Sequence, residues 1–105
     1  MIVTFTWTER ALALLALERR KPGHIYRGRA RQEQAETAIR SLQAKLGAAR
    51  PFEADAEELL QLHRALHWAG RAYQGWMVPR HYAEIARSYH GLARRFERRV
   101  PPVAA

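Results

Sequence analysis

The segment between residues 19 and 31 concentrates positive charge, and it is the first place where this chain could bind a ligand. Its cations are Arg19, Arg20, Lys21, Arg27, Arg29 and Arg31, with no acidic residue between them. Tyr26 lies in the same segment and could stack on a nucleic-acid base, while Gly23 and Gly28 allow a backbone to approach a ligand closely. The pattern predicts a phosphate-binding loop. The alternative is a solvated loop that includes the ordinary cationic end of a helix.

A second set of cations recurs at helical spacing near the end of the chain. Its members are Arg80, Arg87, Arg94 and Arg98. They fall opposite an apolar side formed by Tyr82, Ile85, Tyr89, Leu92 and Phe96. An arginine column on an exposed helix can follow a phosphate backbone, so we predict nucleic-acid contacts here as well. A solvated face is the alternative, because amphipathic helices place charge opposite their apolar side.

Trp68 is the third candidate, because it lies far around its helix from the apolar side that carries Leu59, Leu62 and Leu66. The strip beside it holds Arg64, His67 and Arg71. Either this helix is buried on two sides or Trp68 is an exposed anchor for a partner, and the sequence favours burial. Trp76 and Met77, in the turn that follows, pose the same choice at the tip of a helical hairpin.

His63 and His67 are four residues apart, a spacing that can hold a metal ion on one side of a helix. Arg64 follows His63 directly, where zinc hydrolases of the His-Glu type carry a glutamate, and a cation there disfavours a divalent metal. His81 or His90 would have to supply a third ligand. We therefore predict no metal and no cofactor, with His63 at the edge of the core.

The sequence contains no arrangement that is typical of a catalytic site. It has no cysteine and no glycine-rich phosphate loop, and Ser41 and Ser88 both fall on helix faces. Arg87 with His90 is a pair that a helical ribonuclease could use, but the pair is too generic to predict one. The sequence favours a protein that binds a partner without catalysis.

Charge is the strongest property of the composition. The 105 residues have a formal net charge of +8 and a pI of about 11.0. This balance favours a polyanionic partner such as nucleic acid, an anionic lipid or an acidic protein surface. Among the 18 basic residues only Lys21 and Lys45 are lysines, so part of the arginine excess can reflect GC-rich coding. Where the arginines lie is therefore more informative than their number.

Four amphipathic helices must position these residues. We predict them at residues 9–20, 30–46, 56–74 and 79–99, with a frayed tail at 100–105. The predicted fold is a single domain, residues 1–105, that is mainly α-helical: a compact four-helix antiparallel bundle. The first helix is predicted to be the most buried, because leucines cover most of its circumference. The apolar spacing of the last helix continues through Gly91, which favours one unbroken helix over a DNA-reading helix-turn-helix.

Helix ends carry recognisable capping signals. The first helix can begin at Thr8, with Trp7 and Leu12 as a hydrophobic staple, or with a capping box of Thr6 and Glu9. Gly47 is the predicted C-terminal cap of the second helix. Asp55 and Glu58 form an aspartate version of the capping box for the third helix, as expected for acidic residues at a helix N-terminus.

Residues 1–8 alternate between apolar side chains and threonines, which is typical of a strand. The segment is either a short strand or an extended arm on the helices. His24-Ile25-Tyr26 is the one other stretch that looks extended, and it is the predicted strand partner.

Two classes of function lead for this fold, with a helical ribonuclease as a distant third. The first is a non-enzymatic protein that binds nucleic acid through phosphate, with little sequence specificity. The second is a protein–protein interaction module, such as an adaptor, an inhibitor, a complex subunit or a homodimer, that docks through Trp68 or Trp76. We expect a cytoplasmic protein, because no stretch resembles a signal peptide or a membrane span.

Overall fold

A computed structural model describes residues 1–19, 28–74 and 82–97. These residues form α1 (Trp7–Arg19), α2 (Arg29–Gly47), α3 (Ala56–Ala72) and α4 (Ala83–Glu97). Two short strands, β1 (Ile2–Val3) and β2 (Phe52–Glu53), pair antiparallel. The predicted fold class, a compact and mainly helical four-helix domain, is confirmed.

The helix α3 is the centre of the fold, and it packs against each of the other three helices. Its buried side chains point in two directions, because Leu59, Leu62 and Leu66 form one side while Gln61 and Ala65 form another. The prediction that α1 is the most buried helix is wrong. Only Ala13, Ala16 and Leu17 of α1 are buried, and Leu15 is 44% exposed. Leucines around a whole circumference do not show which side the neighbouring helices cover.

The helices α3 and α4 run antiparallel. Tyr73, which caps the end of α3, lies against Tyr82, just before α4, and against Tyr89 in the middle of α4, with ring-centroid distances of 5.5 and 5.9 Å. At the other end, Phe96 of α4 is fully buried in the core. The predicted apolar side of α4 therefore faces α3, and α4 continues through Gly91 as one unbroken helix.

A capping box starts α1, and it is the one formed by Thr6 and Glu9. The Glu9 amide donates to Thr6 Oγ1 (3.2 Å) and the Thr6 amide donates to Glu9 Oε1 (2.9 Å). The helix consequently begins at Trp7, two residues before its predicted start, and the Thr8 cap is wrong. Trp7 is 81% exposed, so it does not form a staple with Leu12.

The N-terminal strand pairs with the chain just before α3. Ile2 lies opposite Glu53 and Val3 opposite Phe52. The Ala54 amide also donates to the Met1 carbonyl oxygen (2.8 Å). The predicted partner, residues 24–26, lies outside the described residues, and the pairing with Phe52–Glu53 was not anticipated. Only two residues of the predicted strand pair, because the chain enters α1 at residue 7.

Buried polar contacts join α2 to the start of α3. Glu58 is 3% exposed and completes the predicted capping box with Asp55. Its carboxylate also accepts from Lys45 Nζ (2.8 Å) and Ser41 Oγ (3.0 Å). A buried carboxylate requires such partners, because an unpaired one would lose its hydration without compensation. This network fixes α2 against the N-terminus of α3.

Other helix ends differ from prediction by a few residues. Gly47 lies within α2, Ala48 is the C-cap, and Ala49 adopts the left-handed conformation (φ 58°). The helix α3 ends at Ala72 and not at residue 74. The described part of α4 begins at Ala83, whereas the predicted start at residue 79, the predicted end at residue 99 and the tail at 100–105 lie outside the described residues.

Candidate functional site

Three histidines meet where α3 and α4 pack. His63 and His67 are one turn apart on α3, with their rings stacked at a centroid distance of 6.3 Å. His90 comes from α4, and its ring lies 6.0 Å from that of His67. The antiparallel register of the two helices brings these residues together, although 23 to 27 positions separate His90 from the others.

A cavity of about 210 Å³ opens beside this cluster. It is lined by His63, His67, His90, Ala93, Arg94 and Glu97. A space of this size has room for several water molecules, and therefore for a small polyatomic group. Its lining is polar apart from Ala93, so it suits a charged or hydrogen-bonding ligand better than an apolar one.

Gly70 makes room for the third histidine. A Cβ atom on Gly70 would lie 2.7 Å from Cε1 of His90, closer than carbon atoms can approach. The His90 ring therefore packs directly on the backbone of α3. Its Nε2 atom is buried and has no hydrogen-bond partner among the described residues. Buried polar atoms are normally paired, so this nitrogen is an exception that the close packing of His90 on α3 imposes.

Trp68 lies next to the histidines and is 51% exposed, so the favoured burial of this residue is wrong. Its ring is 6.0 Å from that of His67, and the guanidinium carbon of Arg71 lies 5.3 Å from its centroid. The helix α3 is buried on two sides, as one interpretation of Trp68 required. Trp68 nevertheless lies outside both, because the described neighbouring helices cover the sides that carry Leu62 and Ala65.

We use the term α3/α4 face for the surface formed by His63, His67, Trp68, Arg71, His90 and Arg94. Its two arginines form no ion pair with any described acidic residue. Most other described cations do: Arg29 with Glu33, Arg31 with Glu57, Arg40 with Glu36, Lys45 with Glu58, Arg87 with Glu84, and Arg95 with Glu9. Positive charge on the α3/α4 face is therefore less compensated than on those parts of the surface.

Burial and the neighbouring His67 lower the pKa of two of the histidines. Burial lowers the pKa of His63, as do His67 and Arg64, while Glu97 acts in the opposite direction. Burial also lowers the pKa of His90, with smaller effects in the same direction from His67, Arg94 and Arg71. An imidazole with a pKa below its usual value of about 6.5 carries its proton only in acid, or when an anion binds nearby.

The predicted loop residues are only partly described. Arg19 donates to the hydroxyl of Tyr73 (3.0 Å), which joins the ends of α1 and α3. Arg29 is exposed and pairs with Glu33 (3.3 Å). Arg31 is half-buried and pairs with Glu57 of α3 (2.6 Å), so it contributes to helix packing. Arg20, Lys21, Tyr26 and Arg27 lie outside the described residues.

Two members of the predicted arginine column, Arg87 and Arg94, belong to the described part of α4, and both are exposed. Arg87 lies 4.0 Å from Glu84 on the same helix, whereas Arg94 lines the histidine cavity. Arg95 does not belong to this surface, because it pairs with Glu9 and lies over the ring of Phe5. Arg80, Arg98, Trp76 and Met77 lie outside the described residues.

Two further properties of the described residues bear on the site. No group of three histidine, cysteine, aspartate or glutamate side chains among them is arranged to hold a metal ion. No helix among them is both long enough and apolar enough to cross a membrane. His81, the other histidine considered as a third metal ligand, lies outside the described part of the chain.

Comparison of the chain with protein families, with curated proteins and with solved structures finds no match. The candidate site therefore depends on geometry alone. Sequence reasoning found its parts separately: the His63/His67 spacing, the strip beside Trp68 and the column with Arg94. It named His90 as one of two third partners for the histidine pair and did not connect Arg94 with them, because the register of α4 against α3 decides that His90 and Arg94 meet His67.

Proposed function

We propose that this protein binds single-stranded regions of nucleic acid, with phosphate groups held by the α3/α4 face and an unpaired base stacked on Trp68. The observation that carries the proposal is a half-exposed tryptophan with the guanidinium of Arg71 over its ring, an arginine that forms no ion pair with any described acidic residue. Proteins that bind single strands combine an aromatic platform with a cationic track in this way. The net charge of +8 supports the same class of partner.

Binding of this kind has defined properties. Stacking accepts any base, and arginine–phosphate contacts carry no sequence information, so the protein is expected to discriminate little between sequences. Affinity is expected to fall steeply with salt, because each phosphate contact releases condensed counterions. The cations of the predicted phosphate-binding loop at residues 19–31 contribute to the same positive net charge. The proposal requires no catalytic step.

Fluorescence anisotropy with a labelled short oligothymidylate at ~50 mM salt tests this proposal. Replacing Trp68 by Leu removes the stacking platform, and we expect affinity to fall by about 5- to 100-fold, as for loss of one stacked base. Replacing Arg71 or Arg94 by Gln should weaken binding equally for all sequences. Each change should also reduce the slope of log affinity against log salt by about 0.7, the value for one contact on a single strand.

The chain offers a matched control for these variants. Trp7 and Arg10 on α1 repeat the arrangement of Trp68 and Arg71, with the same spacing of three residues and the guanidinium carbon 5.7 Å from the ring centroid. Trp7 is also exposed, but it does not line the histidine cavity. Trp7→Leu and Arg10→Gln should leave affinity within about twofold, as for surface changes away from a site. Absence of binding at low salt, or equal losses in both pairs, would contradict the proposal.

A second function is favoured by the same exposed ring. An exposed tryptophan is also a typical anchor in protein interfaces, so the α3/α4 face is a candidate docking surface for a protein partner or a second copy. Light scattering distinguishes the homodimer, since Trp68→Leu would convert a dimer to a monomer. The effect of salt also distinguishes nucleic-acid binding from protein docking, because docking through an apolar anchor persists at salt concentrations that release a phosphate backbone.

A further inference from the structure

We infer that the histidine cavity between α3 and α4 is a phosphate subsite whose histidines gain protons when the phosphate enters, so that binding strengthens as the pH falls. The inference rests on the proposed function, because the phosphate is taken to belong to a nucleic-acid backbone. It adds a place for that phosphate and a form of regulation. Three features of the cavity support the inference: its charge, its histidines and the groups that surround them.

The cavity has no net charge to offer an anion at neutral pH. Arg94 supplies one positive charge and Glu97 one negative charge, and both line the space. The three histidines in the lining are therefore the groups whose protonation can make it cationic. Each proton added to an imidazole contributes one positive charge and one N–H donor, and both are what a phosphate oxygen requires.

Neighbouring groups determine in which direction phosphate shifts the pKa values of the histidines. In the free protein the pKa of His63 and that of His90 are lowered, first by burial and then by His67, with smaller effects from nearby arginines. The titratable and charged neighbours are His67, Arg64 and Arg71 from α3, and Arg94 and Glu97 from α4. A phosphate placed among them counters the repulsion that these cations exert on an imidazolium, so it raises both pKa values.

Linkage then gives the sign of the pH dependence. The complex binds more protons than the free protein at any pH between the free and the bound pKa values, so affinity rises as the pH falls through that interval. The limit is tenfold per pH unit for each proton taken up.

The test is the affinity for oligothymidylate at about pH 7.5 and about pH 6.0 at constant ionic strength. Neither its bases nor its phosphodiesters titrate in this range, so the change belongs to the protein. We expect binding to be about three- to tenfold tighter at the lower pH, with proton uptake measured by calorimetry in two buffers of different ionisation enthalpy. His63→Gln and His67→Gln, both at partly exposed positions, should each reduce the pH effect.

Two further variants sharpen the result. Glu97→Gln removes the acid from the cavity, so it should tighten binding at the higher pH and reduce the dependence on pH. His24→Gln removes the histidine of the predicted phosphate-binding loop, and the inference requires that the pH dependence persist in this variant. Inorganic sulfate, whose charge is constant in this range, is the probe for a free anion: weakening of sulfate binding by His67→Gln would show that the subsite also accepts an isolated anion.

Each outcome separates the inference from the proposed function. Binding that is equal at both pH values overturns the inference and leaves nucleic-acid binding intact. The same conclusion follows if His24→Gln removes the pH effect, or if His63→Gln and His67→Gln both leave it unchanged in folded protein. Absence of oligonucleotide binding at both pH values overturns the proposed function and this inference together.

Discussion

Ala49 has a backbone conformation that normally favours glycine. It follows the cap of α2 and has φ 58°, a left-handed conformation in which glycine has no steric penalty. The sequence supplies its glycine two positions earlier, at Gly47, inside the helix. Prediction of a glycine cap at residue 47 therefore placed the end of α2 too early. The helix extends until the chain must turn toward β2.

Replacing Ala49 by Gly should stabilise the protein by about 0.5–1 kcal/mol. The left-handed strain of a side-chain-bearing residue is about 1–2 kcal/mol, and the greater freedom of glycine in the unfolded chain offsets part of the gain. Urea denaturation measures the difference. Ala48→Gly is the control, because Ala48 has an ordinary right-handed conformation (φ −73°) and should lose about 0.5–1 kcal/mol. Equal effects at the two positions would contradict this account.

At the scale of the elements, contact between α3 and α4 decides the site. Gly70 lets the His90 ring lie on the α3 backbone, and that contact helps to fix the position of α4 along α3. The same register brings Arg94 and Glu97 beside the two histidines of α3. A small residue in one helix therefore positions a cluster of polar side chains that no single helix contains.

Replacing Gly70 by Ala should destabilise the protein by about 1 kcal/mol. Alanine favours the helix by roughly 1 kcal/mol, but its Cβ must displace the His90 ring, and overpacking of this kind costs about 1–3 kcal/mol. Thermal denaturation shows whether the replacement stabilises or destabilises the protein. Gly91 is the control on α4, since an added Cβ there meets nothing within 4 Å.

Gly91→Ala should consequently stabilise by about 0.5–1 kcal/mol through helix propensity alone. If Gly70→Ala were as stabilising as Gly91→Ala, the His90 ring would not be packed on Gly70. The histidine cavity would then lose the contact that positions its third imidazole.

At the scale of the whole molecule, a site that spans α3 and α4 exists only in the folded protein. The unfolded chain has the same net charge of +8, so it attracts polyanions too, but it has no assembled α3/α4 face. Ligand binding to the folded state alone must raise the free energy of unfolding. Nonspecific attraction to a basic chain does not require such an increase.

Oligothymidylate at about 100 times its dissociation constant should therefore stabilise the protein by ~2.7 kcal/mol. At the same concentration, a variant such as Arg94→Gln that binds tenfold less tightly should gain only ~1.4 kcal/mol. Chemical denaturation with and without the oligonucleotide measures both values. Stabilisation that is absent, or equal in the variant despite its weaker binding, would mean that the ligand does not select the folded α3/α4 face.

Local patterns predicted much of the fold. The capping boxes of Thr6 with Glu9 and of Asp55 with Glu58 are both present. These features depend on residues three or four positions apart, whose geometry a helix sets by itself. The same is true of the unbroken α4.

The sequence by itself determined the helical class, the approximate helices and the strong positive charge, because periodicity and composition are local properties. Tertiary structure decided that α3 and not α1 is central, that β1 pairs with Phe52–Glu53, and that Trp68 is exposed. It also decided that His90 and Arg94 join His63 and His67. The physical reason is that packing between helices depends on which sides meet and in what register, and residues distant in the chain set both.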